Sequence, residues 1–366
     1  MRKGFPILWR GTEGEAMKNY KKKYQHLKLQ AEQTSVVEER ALDFTIHRHR
    51  CLYCYEELHD INAAFHQACN KKFFGQLETP LLSYSKQDLE QLASQVIQSK
   101  MAVTGVQAKV SLSLHRKEAN NTVKKLTIVG LYGDYILKPP SEYYPFLPEV
   151  EDLTMHLAEV CGLQTVPHTL CYLQDGTRCY LTKRIDRTRK GKLHMEDMCQ
   201  LTERLTEDKY KGSHEQVAKA ILKYSANPLL DVTNFYEVVV FSFLTGNADM
   251  HLKNFSLLEE PGLGFGLAPA YDLLSTALVN PADTEELALT LNGKKRKLRY
   301  NDFLAAFENS GLSKKVLDTM LENFYYCVFE MKDFVQKSFL TEEYKKDYCK
   351  LLEQRAKVLF QELNYL

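Results

Sequence analysis

No stretch of this chain approaches the ~20 consecutive apolar residues that a membrane-crossing helix needs. Its longest apolar-rich run, Val238–Leu244, reads as part of a buried helix. Net charge is nearly absent, because 48 Lys and Arg stand against 47 Asp and Glu; a general nucleic-acid binder carries a strong basic excess. The apolar part of Met1–Arg10 is too short for a secretory leader. Nine cysteines without such a leader read as reduced thiols or metal ligands of a cytoplasmic protein, not as a disulfide framework. Neither a Walker A loop nor a G-x-G-x-x-G run occurs. What is present is 366 residues, 44% hydrophobic and 26% charged. That is an ordinary globular composition, long enough for two lobes or for one large domain with an appendage.

The most informative segment is Thr245-Gly-Asn-Ala-Asp-Met-His-Leu-Lys-Asn-Phe-Ser256, in which Asn254 follows Asp249 by five positions. Phosphoryl transfer needs a carboxylate to orient the attacking hydroxyl and a nearby oxygen donor to hold a magnesium ion against the phosphates. A further acid, Asp272 in Pro269-Ala-Tyr-Asp-Leu-Leu-Ser275, follows a short segment at the interval where a second metal-binding Asp is wanted. Taken singly, His251 could fill a polar niche, Asn254 a turn and Asp272 a cap. Their ordered co-occurrence favours chemistry.

Upstream, alternation predicts strands from Val106 onward, over Leu126–Val129 and over Asp134–Leu137, the last two around Gly130–Gly133. The third strand ends at Lys138, before Pro139-Pro140, which remove backbone donors. A helix over Glu149–Cys161 follows, placing Glu151 in its first turn as the ion-pair partner of Lys138. A second hairpin, Leu170–Leu173 with Cys179–Arg184, turns at Asp175-Gly176 and ends in Lys183-Arg-Ile-Asp186 beside the inter-lobe hinge. Beyond Met195 the pattern is mostly helical, over 214–224, 232–245, 301–310, 314–335 and 342–363, with one earlier helix at 86–98.

Cys51-Leu-Tyr-Cys54 and His66-Gln-Ala-Cys69 offer four soft or borderline donors in two close pairs. That set suits a structural zinc ion held tetrahedrally, with His49 and His59 in reserve. The divisions expected are a polar, partly disordered extension (1–50), the Cys/His knuckle (51–75), a small β-rich N-lobe (76–190) and a larger, mainly helical C-lobe (191–366). The fold class is therefore α+β, bilobal and protein-kinase-like.

Five segments in this order, Thr104-Gly-Val-Gln-Ala-Lys109, Ile136-Leu-Lys-Pro139, Met195–Gln200, Asn247–Ser256 and Pro269–Ser275, resemble the HipA family of bacterial serine/threonine kinase toxins. The resemblance covers roughly residues 51–330, and its knuckle resembles the start of short, Bacteroides-type members. It implies an ATP- and Mg2+-dependent kinase with Asp249 as catalytic base. Asn254 and Asp272 would hold Mg2+, while Lys138 meets the phosphates and Glu151 orients it. Gln107 and Lys109 would lie over the nucleotide, His251 and Lys253 would support the catalytic loop, and Lys183 and Ile185 would sit at the adenine hinge. It also implies autophosphorylation ahead of the G-x-Q-x-K segment, where Ala102 and Thr104 stand, so Thr104 is the expected site. Short members act with a separate small antitoxin, resembling the N-terminal subdomain of long members, and with a helix-turn-helix protein that touches DNA. The expected substrate is a host protein such as an aminoacyl-tRNA synthetase, phosphorylated to stall translation. Two other readings stand beside this one: a silent pseudokinase serving as a co-repressor module, and a small-molecule kinase.

Overall fold

The computed structural model describes residues 50–60, 62–89, 91, 109–116, 124–129, 133–188 and 190–361, all within the unit His49–Leu366. The polar extension, His49, Ala102, Thr104, Gln107 and most of the expected 86–98 helix lie outside the described residues.

The first helix, α1 (Gln67–Phe74), closes the Cys/His segment and ends at Gly75 in the left-handed region. Five strands follow: β1 (Val110–Arg116), β2 (Lys124–Ile128), β3 (Tyr135–Lys138), β4 (His168–Tyr172) and β5 (Arg178–Lys183). They form one antiparallel sheet in the order β2-β1-β3-β5-β4. The strands β2 and β3 were expected to face each other around Gly130–Gly133. Instead β1 lies between them, pairing Leu112 with Ile128 on one side and with Tyr135 on the other. Gly133 shows why this is tolerated. Its N–H donates to Ser111 Oγ at 3.0 Å, and a Cβ there would sit 2.5 Å from Leu112 O. Only a residue without a side chain lets the chain press onto β1 this closely.

Helix α2 (Leu147–Val160) starts two residues earlier than expected, with Pro148 in its first turn, where a missing N–H costs nothing. Glu151 is consequently in the second turn. The helix lies against β4, β5 and a later helix and buries three acids within about one turn, Glu149, Glu151 and Asp152. Buried carboxylates need partners, and each has one: Arg178 for Glu149 at 2.8 Å, Lys138 for Glu151, and His168 for Asp152 at 2.7 Å.

A two-stranded ribbon, β6 (Arg187–Thr188) with β7 (Gly191–Lys192), leads away from the sheet. The second sheet contains β8 (Met195–Asp197), β9 (Ser256–Glu260) and β10 (Gly264–Leu267), ordered β10-β9-β8. Sequence periodicity missed it because strands of three to five residues carry too few alternations to register. The remainder is helical: α3 (Met198–Leu201), α4 (His214–Tyr224), α5 (Pro228–Thr245), α6 (Thr276–Val279), α7 (Tyr300–Asn309), α8 (Lys314–Gln336) and α9 (Glu342–Phe360). Helix α5 contains the longest apolar run and is buried along most of its length, contacting α4, α9 and β10. Among the described residues no helix is long and apolar enough to cross a membrane.

His214 opens α4 with its ring between Phe235 and Phe255, and neither ring nitrogen has a hydrogen-bond partner. Burial pushes its pKa from 6.5 down to about 3. Between those values the unfolded chain takes up a proton that the folded chain refuses, so stability falls as pH drops. From neutral pH to pH 5 this one group costs about 2 kcal/mol. Urea unfolding at both pH values, on wild type and His214→Leu, measures it. A wild-type pH dependence identical to that of the variant would remove His214 from the account.

Candidate active site

Lys138 ends β3, the middle strand of the five. Its ammonium is buried and bonded to Glu151 from α2 and to Asp272 from the segment after β10. It also lies 5.3 Å over the ring of Tyr180, its cross-strand neighbour on β5. Burial works against the Lys138 charge, but the carboxylates of Asp272 and Glu151 outweigh it and hold the ammonium above lysine's usual range. Burial is also the main influence on Glu151, whose pKa is pushed to about 7 because Lys138 offsets it only in part. Asp272 behaves oppositely: its enclosure is outweighed by Lys138 and Lys109, and the carboxyl stays ionised far below its usual range. Lys109 Nζ stands 3.5 Å from Asp272 Oδ2. Asp272 has a φ of +62°, a conformation costly for a residue with a Cβ, and such strain collects at functional sites.

The Asp249 loop leaves the end of α5 at Gly246, which adopts φ +67°. It is pinned from outside. The Thr276 hydroxyl donates to Gly246 O at 3.1 Å and accepts from Ala248 N at 2.8 Å, and Ala277 N donates to Gly246 O at 2.9 Å. Inside the loop, His251 N donates to Asp249 O and Asn254 N to His251 O, which closes the 3-10 turn Leu252–Asn254. Asn254 Nδ2 donates to Asp249 O at 3.0 Å. That bond fixes the amide and leaves its Oδ1 as an acceptor for a hard cation. His251 is buried with an unpartnered Nδ1; burial is the main cause of its lowered pKa, although Asp249 and Asp272 both pull the other way.

Three placements were not legible in the sequence. Lys253 does not stand free beside the loop: its ammonium binds Asp197 Oδ2 at 2.6 Å, and Asp197 also caps α3 in a reciprocal box with Gln200. The Met195–Gln200 motif thus fastens the loop from β8. Lys183 projects to the sheet face opposite Lys138, over the rings of Phe73 and Tyr135, and its backbone N–H donates to Pro167 O at 2.9 Å, while Ile185 two residues on is half-buried. Tyr210, which no motif marked, donates its hydroxyl to Asp249 Oδ1 at 2.5 Å.

The Cys51, Cys54, His66 and Cys69 donor atoms all lie within 4.8 Å of one another. His66 Nε2 pairs with Glu57 O at 2.9 Å, while Nδ1 faces Cys54 Sγ at 3.4 Å and Cys69 Sγ at 3.8 Å. A ring held by one nitrogen and aimed inward by the other is what a metal-ligating histidine requires, and three sulfurs with one nitrogen fit zinc. Exposed His59 is not part of the cluster. The knuckle is fastened to the sheet by Leu52 O, which accepts from Leu170 N at 3.3 Å and from Thr169 Oγ1 at 3.0 Å.

The sequence pattern of the HipA-like C-terminal domain matches residues 101–330, well over half of the chain. A protein of Sinorhizobium fredii with a provisional kinase name is 32% identical over 61% of this chain and 57% of its own length. The serine/threonine-protein kinase toxin HipA of Shewanella oneidensis is 26% identical over 53% of this chain and 47% of its own. The chain thus spans about half the length of these curated relatives. In the solved complex of that organism's toxin–antitoxin system, HipA with HipB and operator DNA, the matching chain superposes with a TM-score of 0.59 at 20% identity, covering 78% of this chain and 73% of the other. At that identity the likeness is one of fold. The α+β kinase-like architecture expected from the sequence, with its β-rich part before its helical part, is the one observed.

Gly246 offers a direct test of how tightly the loop is seated. A Cβ there would approach Ala277 Cβ to 2.8 Å and Leu351 Cδ2 to 2.9 Å, in a backbone region that disfavours L side chains. Gly246→Ala should cost about 3 kcal/mol of unfolding free energy from strain and overpacking together. A loss under about 1 kcal/mol by urea titration would mean that the loop yields.

Proposed function

The chain belongs to the HipA-like C-terminal domain family, and from that premise we propose that it is an ATP- and Mg2+-dependent kinase acting on serine or threonine of a protein. The single observation that carries this reading is the buried Lys138 ammonium shared between Glu151 and Asp272, with a pinned Asp–x4–Asn loop alongside. A lysine fixed by a helix glutamate is suited to grip phosphate oxygens. Asp272, held ionised, and the Asn254 oxygen would hold Mg2+. The bound ion would neutralise charge on the phosphates during transfer. Asp249 orients the acceptor hydroxyl and receives its proton as the oxygen attacks the γ-phosphorus and ADP departs. Lys253 keeps the loop in register through Asp197, and His251 fills the space beneath it. Lys109 and Gln107 cover the nucleotide, the backbone at Lys183 and the Ile185 side chain meet the base, and Thr104 is the autophosphorylation site. The two lobes divide near residue 190, and the knuckle over 51–75 holds a structural zinc ion.

Within the same reading the chain is a toxin component whose substrate is a host protein, an aminoacyl-tRNA synthetase in the first instance. A small separate antitoxin and a helix-turn-helix DNA-binding protein are its partners. The Shewanella HipA complex with HipB and operator DNA supports that assignment by analogy.

Asp249→Gln should lower transfer of radiolabel from ATP at least about a hundredfold while ATP binding and unfolding midpoint stay near wild type; full activity in that variant would discard the role of Asp249. Elemental analysis of the purified chain should return about one zinc per chain, lost when Cys51 and Cys54 are both replaced by serine. Absence of metal from the wild-type chain would end the zinc assignment.

A further inference from the structure

Tyr210 lies between the 3-10 turn Thr206–Asp208 and α4. The residue is 41% exposed, unlike the buried tyrosines of the core, yet its hydroxyl proton is committed. It donates to Asp249 Oδ1 at 2.5 Å. The ring meets the edge of His251 with centroids 5.0 Å apart, and the Lys209 ammonium lies 4.9 Å from the ring centre. Burial of the hydroxyl and then the Asp249 carboxylate push its ionisation above tyrosine's usual range, so near neutral pH it is a donor. A carboxylate that orients a phosphoryl acceptor receives a hydrogen bond from the acceptor's hydroxyl. Tyr210 already supplies that bond.

We propose that Tyr210 is an internal mimic of the acceptor: resting on the role given to Asp249 above, its phenol holds the seat on Oδ1 that a serine or threonine hydroxyl takes during transfer, and it must swing out before that acceptor enters. The movement needs only the side chain. Lys209 O accepts from Leu252 N at 3.1 Å and Lys211 N donates to Asp208 O at 2.8 Å, so the backbone on both sides of Tyr210 stays fastened. The ring is held inward by the hydrogen bond to Asp249 and by its contacts with His251 and Lys209. What replaces it is a hydroxyl of the same donor character on a chain passing between Lys209 and His251. The contact therefore locates the acceptor seat and makes entry to it competitive.

The test uses the full chain and water as the simplest acceptor. Tyr210→Phe keeps the ring and removes the O–H, so Mg-ATP hydrolysis without added protein should rise roughly tenfold, the effect of losing one charge-assisted hydrogen bond, with KM for ATP unchanged. An unchanged or slower rate overturns the proposal. Asp249→Asn should abolish hydrolysis whether or not Tyr210 is replaced. Wild-type hydrolysis in Asp249→Asn would instead remove Asp249 from its role, and the mimic with it, a failure recognisable by that signature. A readout independent of turnover is the NMR signal of 13Cζ-labelled tyrosine that disappears in Tyr210→Phe. Its chemical shift at neutral pH should move in Asp249→Asn, and a signal that does not move means the phenol is not held by Asp249.

Discussion

One buried cation organises this molecule. Lys138 reaches the interface of three separate chain segments, β3, α2 and the turn after β10, and is bonded to an acid from each of the last two. Removing an ammonium from water is costly unless its charge is matched, and breaking a buried pair costs about 3–5 kcal/mol because the surviving charge is left alone. The cluster therefore fixes relative positions more than it adds stability. If α2 moves, Glu151 leaves; if the β10 turn moves, Asp272 leaves. Either way the lysine loses the setting that keeps it charged and aimed. The unequal protonation tendencies follow from the same arrangement. Two carboxylates share one strong cation, the partly exposed one with a second lysine nearby stays ionised, and the fully enclosed one is driven up to about 7.

Helix α2 is held in place by a second network one residue along. Asp152 accepts from Tyr55 Oη at 2.8 Å and pairs with His168 Nδ1 at 2.7 Å. Tyr55 follows the Cys51–Cys54 pair directly and takes φ +62°. Its buried ring meets Phe334 and Phe339 near the end of α8 and His156 on α2. Below it, His168 stacks on Tyr180, whose ring lies under Lys138. The Cys/His knuckle is thus wired to the lysine through packed rings and a carboxylate. A Cys/His cluster that only tied together two short loops would not need a buried tyrosine reaching α2. Its geometry makes the knuckle a brace for the helix that presents Glu151.

How much of this was readable beforehand depended on the range of the interaction. Helix α4 was legible to the residue from its regularly repeating apolar face, and the structure adds a cap from Ser213 and Gln216 at its start. The β4–β5 hairpin was legible from Asp175-Gly176, and Gly176 does take φ +80°. The Lys138–Glu151 pair and the four knuckle donors were legible because their order and spacing encode a known chemical need. Strand order was not, since β1 slips between β2 and β3 through a close approach at Gly133 that periodicity cannot express. Lys253 reads the same whether it faces a phosphate or Asp197, and Tyr210 sits in a sequence of no special pattern. Those placements are decided by segments about 40 to 60 positions away, beyond the reach of local signals.

The Asp249 loop combines the two constraints. Phosphoryl transfer requires the attacking oxygen within a fraction of an ångström of its line of approach, and displacement of about 1 Å is costly in rate. A loop is a poor scaffold for such accuracy unless its backbone is fastened at several points. Here Thr276 and Ala277 tie its start, the Asn254 amide and the 3-10 turn close its middle, and Lys253 anchors its far side to the cap of α3. Thr276 follows Asp272 by four positions, so the segment presenting the proposed metal ligand also pins the loop presenting the proposed base. The two carboxylates are positioned against each other by hydrogen bonds that neither makes itself. That arrangement fixes the backbone that carries Asp249, while its carboxylate is held by the exposed phenol of Tyr210.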